Sequence, residues 1–498
     1  MGFEAVPQLH SLWFKSARPY LMQHNVWGFA AFVLGLTSLS LPHCQAQGVP
    51  PVIPRLLPAF TVHTNQVLRE GANRFAGINL DYLRDSDANR PTAKPLQNAL
   101  QEMGARFLRY PGGEKSDFLL WSNPPYDKPV PTALGWYGTV PGEKLDFDRY
   151  VAIAHSVGAE PYVVVGCDSL ERTGRTKEQW LENAVTWVKY ANITKKYGIK
   201  YWEIGNENWH NQSFKPDEIA NIVVESSRAM KAVDPSIHIG ASGSGDQWWS
   251  QFLPIAAPAL DFVSISHYNA WEWKSYDYLL QHPETDLGAG ARQTLASIDR
   301  YAPAADRARL KLIVAETNSK DYSDGGWAST NSMGHALVTF ETLGQLMQEP
   351  RIESAMVWTT RWVNDAEASQ SQWYGLGPRN EIMPTGRAVA LWGQFAQEKM
   401  VAVEGGVGQF RAYATRSTDN STVTVWIVNR GHEAVSDLKV TIDSPKSYHR
   451  AEIWRLSGTG PDDTEPKWKQ EKVGTLTDKL VEGLVCPGVS VSVVVLRH

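Results

Sequence analysis

A chain of 498 residues, 43% hydrophobic and 20% charged, is long enough for two or three domains. A formal net charge of −5 leaves no basic excess to hold nucleic acid or an anionic membrane. Three cysteines, Cys44, Cys167 and Cys486, supply neither a disulfide framework nor metal-ligand spacing.

Lys15 and Arg18 precede the segment from Val26 to Gln47, whose apolar part is shorter than the roughly 20 residues a spanning helix needs and which ends in small residues. Residues 1–46 read as a secretory signal cleaved near Ala46, which makes the expected location secreted or periplasmic, with no membrane contact after cleavage. Residues 47–69 hold the Pro-rich "GVPPVIPRLLP" and a strand, Ala59–Leu68, expected to join a β domain. From residue 70 strand and helix patterns alternate. The strand candidates are "NRFAGINL", "ARFLRYPG", "PYVVVG", "KYWEIGN", "IHIGASG", "FVSISHY", "LKLIVAET" and "ESAMVWTT". Amphipathic stretches such as "FDRYVAIAHSVG" and "PDEIANIVVESSRAMKAVD" lie between them and close on Gly or Asp-Pro, as helices do. Eight strands alternating with helices over about 300 residues is the pattern of a (β/α)8 barrel, here residues 70–399. A doubly wound sheet would show a Gly-rich phosphate turn after its first strand, and "GINLDYLRDSD" has none. Beyond Met400 the helical period gives way to short alternating strands such as "STVTVWIVNR" and "VSVSVVVLRH". The expected fold class is therefore α/β, a TIM barrel followed by an all-β sandwich over residues 400–498.

Two of the barrel strands deliver a glutamate at their C-terminal tips: "KYWEIGNE" ends on Glu207 after strand four, and "LKLIVAE" on Glu316 at strand seven. Those tips face the catalytic mouth of such a barrel. Asp81, Arg109, His267 and Trp358 fall at the tips of strands one, two, six and eight, and Tyr268 follows His267. Two carboxyl groups about 5 Å apart suit glycoside hydrolysis with retention, one attacking the anomeric carbon and the other protonating the leaving oxygen. Most of the 20 Trp and 18 Tyr belong to the core, with a few left to stack on sugar rings. Glu203 reads as an ion-pair partner below the mouth, and Asp146 and Asp148 as helix-start residues.

"WEIGNENW", "VAETNS" and "LRYPGG" resemble the clan A glycoside hydrolases. "FLRYPGG", "FDRYVAIAHSVGAEPYVVV", "AVTWVKYAN" and "KYWEIGNE" resemble glycoside hydrolase family 51, the α-L-arabinofuranosidases, most clearly over residues 74 to 210. The resemblance implies Glu207 as acid/base, Glu316 as nucleophile and Asn206 as a ligand of the sugar 2-hydroxyl. It implies Asp81 in the place of a substrate-binding Glu, and Arg109 orienting the nucleophile. It implies a carbohydrate as the partner, no cofactor and no metal, and it leaves a homo-oligomer open.

The chain departs from that family in four places. Glu114 follows "YPGG" where Asn or Cys is usual, Thr317-Asn318 replaces Trp-Asn after the nucleophile, and no residue separates His267 from Tyr268. Strand eight carries the Trp358 common in other clan A families. A β-xylosidase, a β-glucuronidase or an endo-glycanase would use the same two carboxylates, and a non-catalytic carbohydrate-binding barrel would normally have lost one of them. Glu114 adds a carboxylate to the mouth and is expected to meet a hydroxyl, a cation or Arg109.

Overall fold

The computed structural model describes residues 59–498 except 168–169, 212–213, 271, 321–325, 363–372, 472–474 and 478. The segment read as a signal, residues 1–46, lies outside the described residues.

Eight strands close into a barrel: Ala76–Asn79, Phe107–Tyr110, Glu160–Val165, Tyr201–Ile204, His238–Ser242, Phe262–His267, Lys311–Thr317 and Ile352–Val357. Every neighbouring pair is parallel, including "FVSISH" against "KLIVAET" and the closing pair of the eighth strand with the first. The expected (β/α)8 barrel is the observed fold. Its strands are buried on both faces, which is why they read as continuous apolar runs rather than as alternating ones. The intervening helices use ordinary start signals, as where the Asp146 carboxylate accepts from the Arg149 amide at 3.0 Å ahead of the helix Phe147–Val157.

Alternation along the strands sorts the interior by height. Phe107, Tyr162, Phe262, Ile313 and Met356 pack together as an apolar plug toward the N-terminal end. Above the plug, Arg109 and Ser264, each two residues further along its strand than Phe107 and Phe262, form a buried polar layer with Glu203 of the fourth strand. The seventh strand breaks step on the way up. Its pairing with the sixth goes from Val314↔Ile265 to Glu316↔Ser266, leaving Ala315 as an extra residue. Strict alternation after the inward Ile313 and Ala315 would send Glu316 out to the helix layer; the bulge turns it back into the barrel.

Apart from a short two-stranded pair, Leu119–Leu120 with Thr132–Ala133, the remaining described strands form one ten-stranded mixed sheet that curls around its own apolar core, with Val62, Val401, Val425, Val440, Ile453 and Val494 inside. The strand Ala59–Glu70 belongs to this sheet, antiparallel to Lys399–Gly405 and parallel to Val435–Asp443. Sheet and barrel meet through aromatic packing of Phe340, Trp392 and Trp426. They also meet through a buried fork: Arg430, just beyond the strand Thr422–Asn429, donates to both carboxylate oxygens of Glu341 on the helix Met333–Met347, at 2.7 and 2.5 Å. No helix among the described residues is long and apolar enough to cross a membrane.

Candidate active site

The fourth strand ends at Gly205, which has φ +73°; a Cβ there would stand 1.8 Å from Asn208 Oδ1 and 2.8 Å from Cys167 Sγ. Only glycine fits. The tight turn that follows sets Asn206 and then Glu207, itself held at φ +45°, a conformation that non-glycine residues adopt at a cost. The short helix Asn208–Asn211 follows directly.

Arg109, buried at the tip of the second strand, organises the mouth. Its Nε donates to Glu203 Oε2 at 2.9 Å, Nη1 to Asn79 Oδ1 at 2.9 Å and to Glu316 Oε1 at 2.8 Å, and Nη2 to Asn206 Oδ1 at 2.7 Å. One guanidinium thus ties the tips of strands one, two, four and seven together. Its planar fork makes this possible, and a lysine could not reproduce it. The second oxygen of Glu316 accepts from the Tyr268 hydroxyl at 2.9 Å. Glu203 is the ion-pair partner in the layer below, also bonded by the Ser264 hydroxyl. Glu316, Arg109, Asn206 and Tyr268, all singled out in the sequence, therefore touch one another.

The charges in this cluster are unequal. Arg109 faces Glu203 and Glu316, and Glu207 is a further carboxyl in the same enclosure. Burial lifts the Glu316 carboxyl, while Arg109 and Tyr268 oppose the lift and favour its charged form. Burial and then the charge of Glu316 push Glu207 up to about 8, with the Ser266 hydroxyl and Arg109 pulling the other way. Both carboxyls are raised on balance, and the two donors on Glu316 favour leaving the proton of the pair on Glu207. A carboxyl whose native pKa is raised from 4.5 to about 8 stabilises the fold fully below pH 4.5, and that contribution is lost as pH rises through about 8. Glu207→Gln, which stays neutral at every pH, is accordingly expected to raise Tm at pH 7 to 8 by about 2–5 °C, and to leave it unchanged near pH 4. Calorimetric scans at the two pH values measure the difference.

The wall between strands one, two and eight differs from the expectation that Asp81 lines the open mouth. Asp81 is fully buried; its Oδ1 accepts from the Leu83 amide at 3.0 Å and its Oδ2 lies 3.5 Å from Lys115 Nζ. The Lys115 ammonium in turn stands over the rings of Trp358, at 4.7 Å, and Trp362, at 5.3 Å. Trp358 also closes against Gly113, where φ is +56° and a Cβ would stand 2.2 Å from the indole. Glu114 meets both a hydroxyl and a cation: Tyr137 donates to it at 2.8 Å and Arg172 lies at 2.5 Å. Sequence reading missed Lys115, Asn79, Tyr137 and Arg172. Asn79, a polar residue closing the apolar run "AGIN", carried a readable signal; the other three did not.

His267 does not join the site. Phe262, Ser264 and Ser266 take the inward positions of the sixth strand, so His267 points outward. Its Nε2 meets the Leu287 carbonyl at 2.7 Å and its ring packs against Gly290. Burial pushes its pKa down, as suits a neutral imidazole wedged behind the barrel wall.

No family model matches the chain. Among curated proteins it is 29% identical over 213 residues to alpha-L-arabinofuranosidase C of Emericella nidulans, covering 36% of this chain and 40% of that one. It is 27% identical over 242 residues to the intracellular exo-alpha-(1->5)-L-arabinofuranosidase of Acetivibrio thermocellus, covering 45% and 47%. The resemblance to family 51 holds. The match spans less than half the length of these relatives. Among solved structures, a family 51 α-L-arabinofuranosidase from Bifidobacterium longum superposes with a TM-score of 0.68 at 17% identity, over 88% of this chain and 100% of that one. A Paenibacillus polymyxa xyloglucanase of glycoside hydrolase family 44 superposes at 0.59 with 12% identity, over 88% and 99%. At these identities the superpositions speak for the fold.

Proposed function

We propose that the protein is a retaining glycoside hydrolase that removes α-L-arabinofuranosyl groups from plant or algal polysaccharide-derived glycosides. Glu316 attacks the anomeric carbon to form a glycosyl-enzyme while Glu207 donates its proton to the leaving oxygen. Glu207, now ionised, then takes a proton from water as the ester is hydrolysed. Arg109 and Tyr268 fix the nucleophile's two oxygens, and Asn206, held by the same guanidinium, reaches the sugar 2-hydroxyl. The observation that carries the reading is the asymmetry of the pair: one carboxylate gripped by two donors, its neighbour pushed up to about 8. The arabinofuranosidases among the relatives support the sugar. Residues 70–399 form the catalytic domain and residues 400–498 a β-sandwich, in a chain exported after cleavage near Ala46.

A second reading, another clan A activity such as a β-xylosidase, β-glucuronidase or endo-glycanase, is favoured by one feature. Lys115 is paired with Asp81, the residue standing where the family has a substrate-binding Glu. A panel of aryl α-L-arabinofuranosides, β-xylosides, β-glucuronides and galactosides separates the two. Arabinofuranoside turnover with proton NMR showing the substrate's own anomeric configuration in the first product supports the proposal. Turnover of another glycoside alone moves the assignment to the second reading, and an inverted product overturns the mechanism.

A further inference from the structure

A cavity of about 460 Å³ opens at the opposite end of the barrel, beneath the apolar plug. Phe107, Glu160, Tyr201 and Lys311, at the starts of barrel strands two, three, four and seven, line it. Its most unusual occupant is Arg69, on the strand Ala59–Glu70 of the second sheet. A register irregularity between Val67 and Arg69 directs this residue under the barrel. Arg69 is 8% exposed. Its Nη1 donates to the Ile352 carbonyl at 2.8 Å and its Nε to the Glu70 carbonyl at 3.2 Å, while the guanidinium lies over Phe75. Burial depresses its pKa to about 10, against the opposing charges of Glu353 and Glu349. A buried cation without a bonded counter-charge is costly.

The rest of the lining adds to the imbalance. Arg74, Lys200 and Lys311 join Arg69 to make four cations. Of the three carboxylates, Glu70 is bridged by Lys399 at 2.8 Å, from outside the lining, which leaves Glu160 and Glu353. Four cations thus face three carboxylates, one of them shared with Lys399, so the lining carries an excess of positive charge. The Phe107 and Tyr201 rings, edge to face with centroids 5.4 Å apart, add an apolar wall.

We propose that this basal cavity is a binding site for a doubly charged oxyanion of the phosphate or sulfate type, seated on Arg69. The volume admits an organic body such as a sugar ester behind the anionic head. The site is remote from the two glutamates and does not rest on the hydrolase reading. Calorimetric titration of the whole protein at pH 8, where phosphate is dianionic, tests it with three probes: inorganic phosphate, inorganic sulfate and glucose 6-phosphate, against chloride at matched ionic strength. Saturable binding of one molecule is expected for at least one probe. Tighter binding of glucose 6-phosphate than of inorganic phosphate marks an ester as the occupant; equal or weaker binding marks the free anion. Arg69→Met is expected to weaken it by about tenfold or more, and the half-buried Lys311→Met by about threefold to tenfold. Lys311→Met carries the test alone if Arg69→Met fails to fold, which its melting profile reveals. Heats no different from chloride with all three probes overturn the proposal, and so does affinity unchanged in the variants.

Discussion

Glu316→Ala is expected to abolish turnover on every glycoside, activated or not, lowering kcat by about 10⁴-fold or more, because without that carboxylate no covalent intermediate can form. The leaving group cannot compensate, since the missing bond is to the anomeric carbon itself. The loss should appear equally in kcat and kcat/KM on 4-nitrophenyl and on unactivated substrates. The fold should survive, because Arg109 keeps Glu203 as its buried counter-charge. Activity within tenfold of the parent on either class of substrate would remove Glu316 from its assigned role.

Glu207→Ala is expected to behave differently on each kind of leaving group. Natural glycosides need the proton, so their kcat/KM should drop by about 10²- to 10⁴-fold. Activated aryl glycosides depart without it and should still load Glu316, after which the glycosyl-enzyme accumulates for want of a base. Azide, which attacks without one, should restore turnover and yield the glycosyl azide. The pH profile gives a second readout. In the parent enzyme kcat/KM on natural substrates should fall as pH rises through about 8, where Glu207 loses its proton. The basic limb should be absent from Glu207→Ala. Azide rescue confined to Glu316→Ala, or a basic limb that survives the loss of Glu207, would reverse the two roles.

The parts of the site that could be read from the sequence are those written in local chain chemistry. The run "KYWEIGNE" announces a strand, a glycine turn and a carboxylate, and "LKLIVAE" a strand and another. Both glutamates stand where the barrel count puts them. His267 stands at a strand tip, but period-two alternation counted from Phe262 points it outward. The bulge at Ala315 has no local signal: "VAET" reads as an unbroken strand, and only pairing with the sixth strand shows the extra residue. Lys115 was opaque for a related reason. A lysine in a loop defaults to solvent, and what buries this one is Asp81 together with Trp358 and Trp362, which lie far apart along the chain. The strand Lys399–Gly405 was absorbed into the boundary at Met400 because its run "MVAVEGG" is short and ends in two glycines.

The Arg430–Glu341 fork bears on whether the barrel can exist alone. Glu341 sits fully buried in a helix of the barrel half, and the cation that neutralises it comes from the other. Severing the chain near residue 399 would strand that carboxylate and bare Phe340 and Trp392, which pack against Tyr413 and Trp426 of the other half, to water. The two halves are thus expected to be coupled thermodynamically, melting in a single cooperative step, and a truncated barrel is expected to aggregate rather than fold on its own.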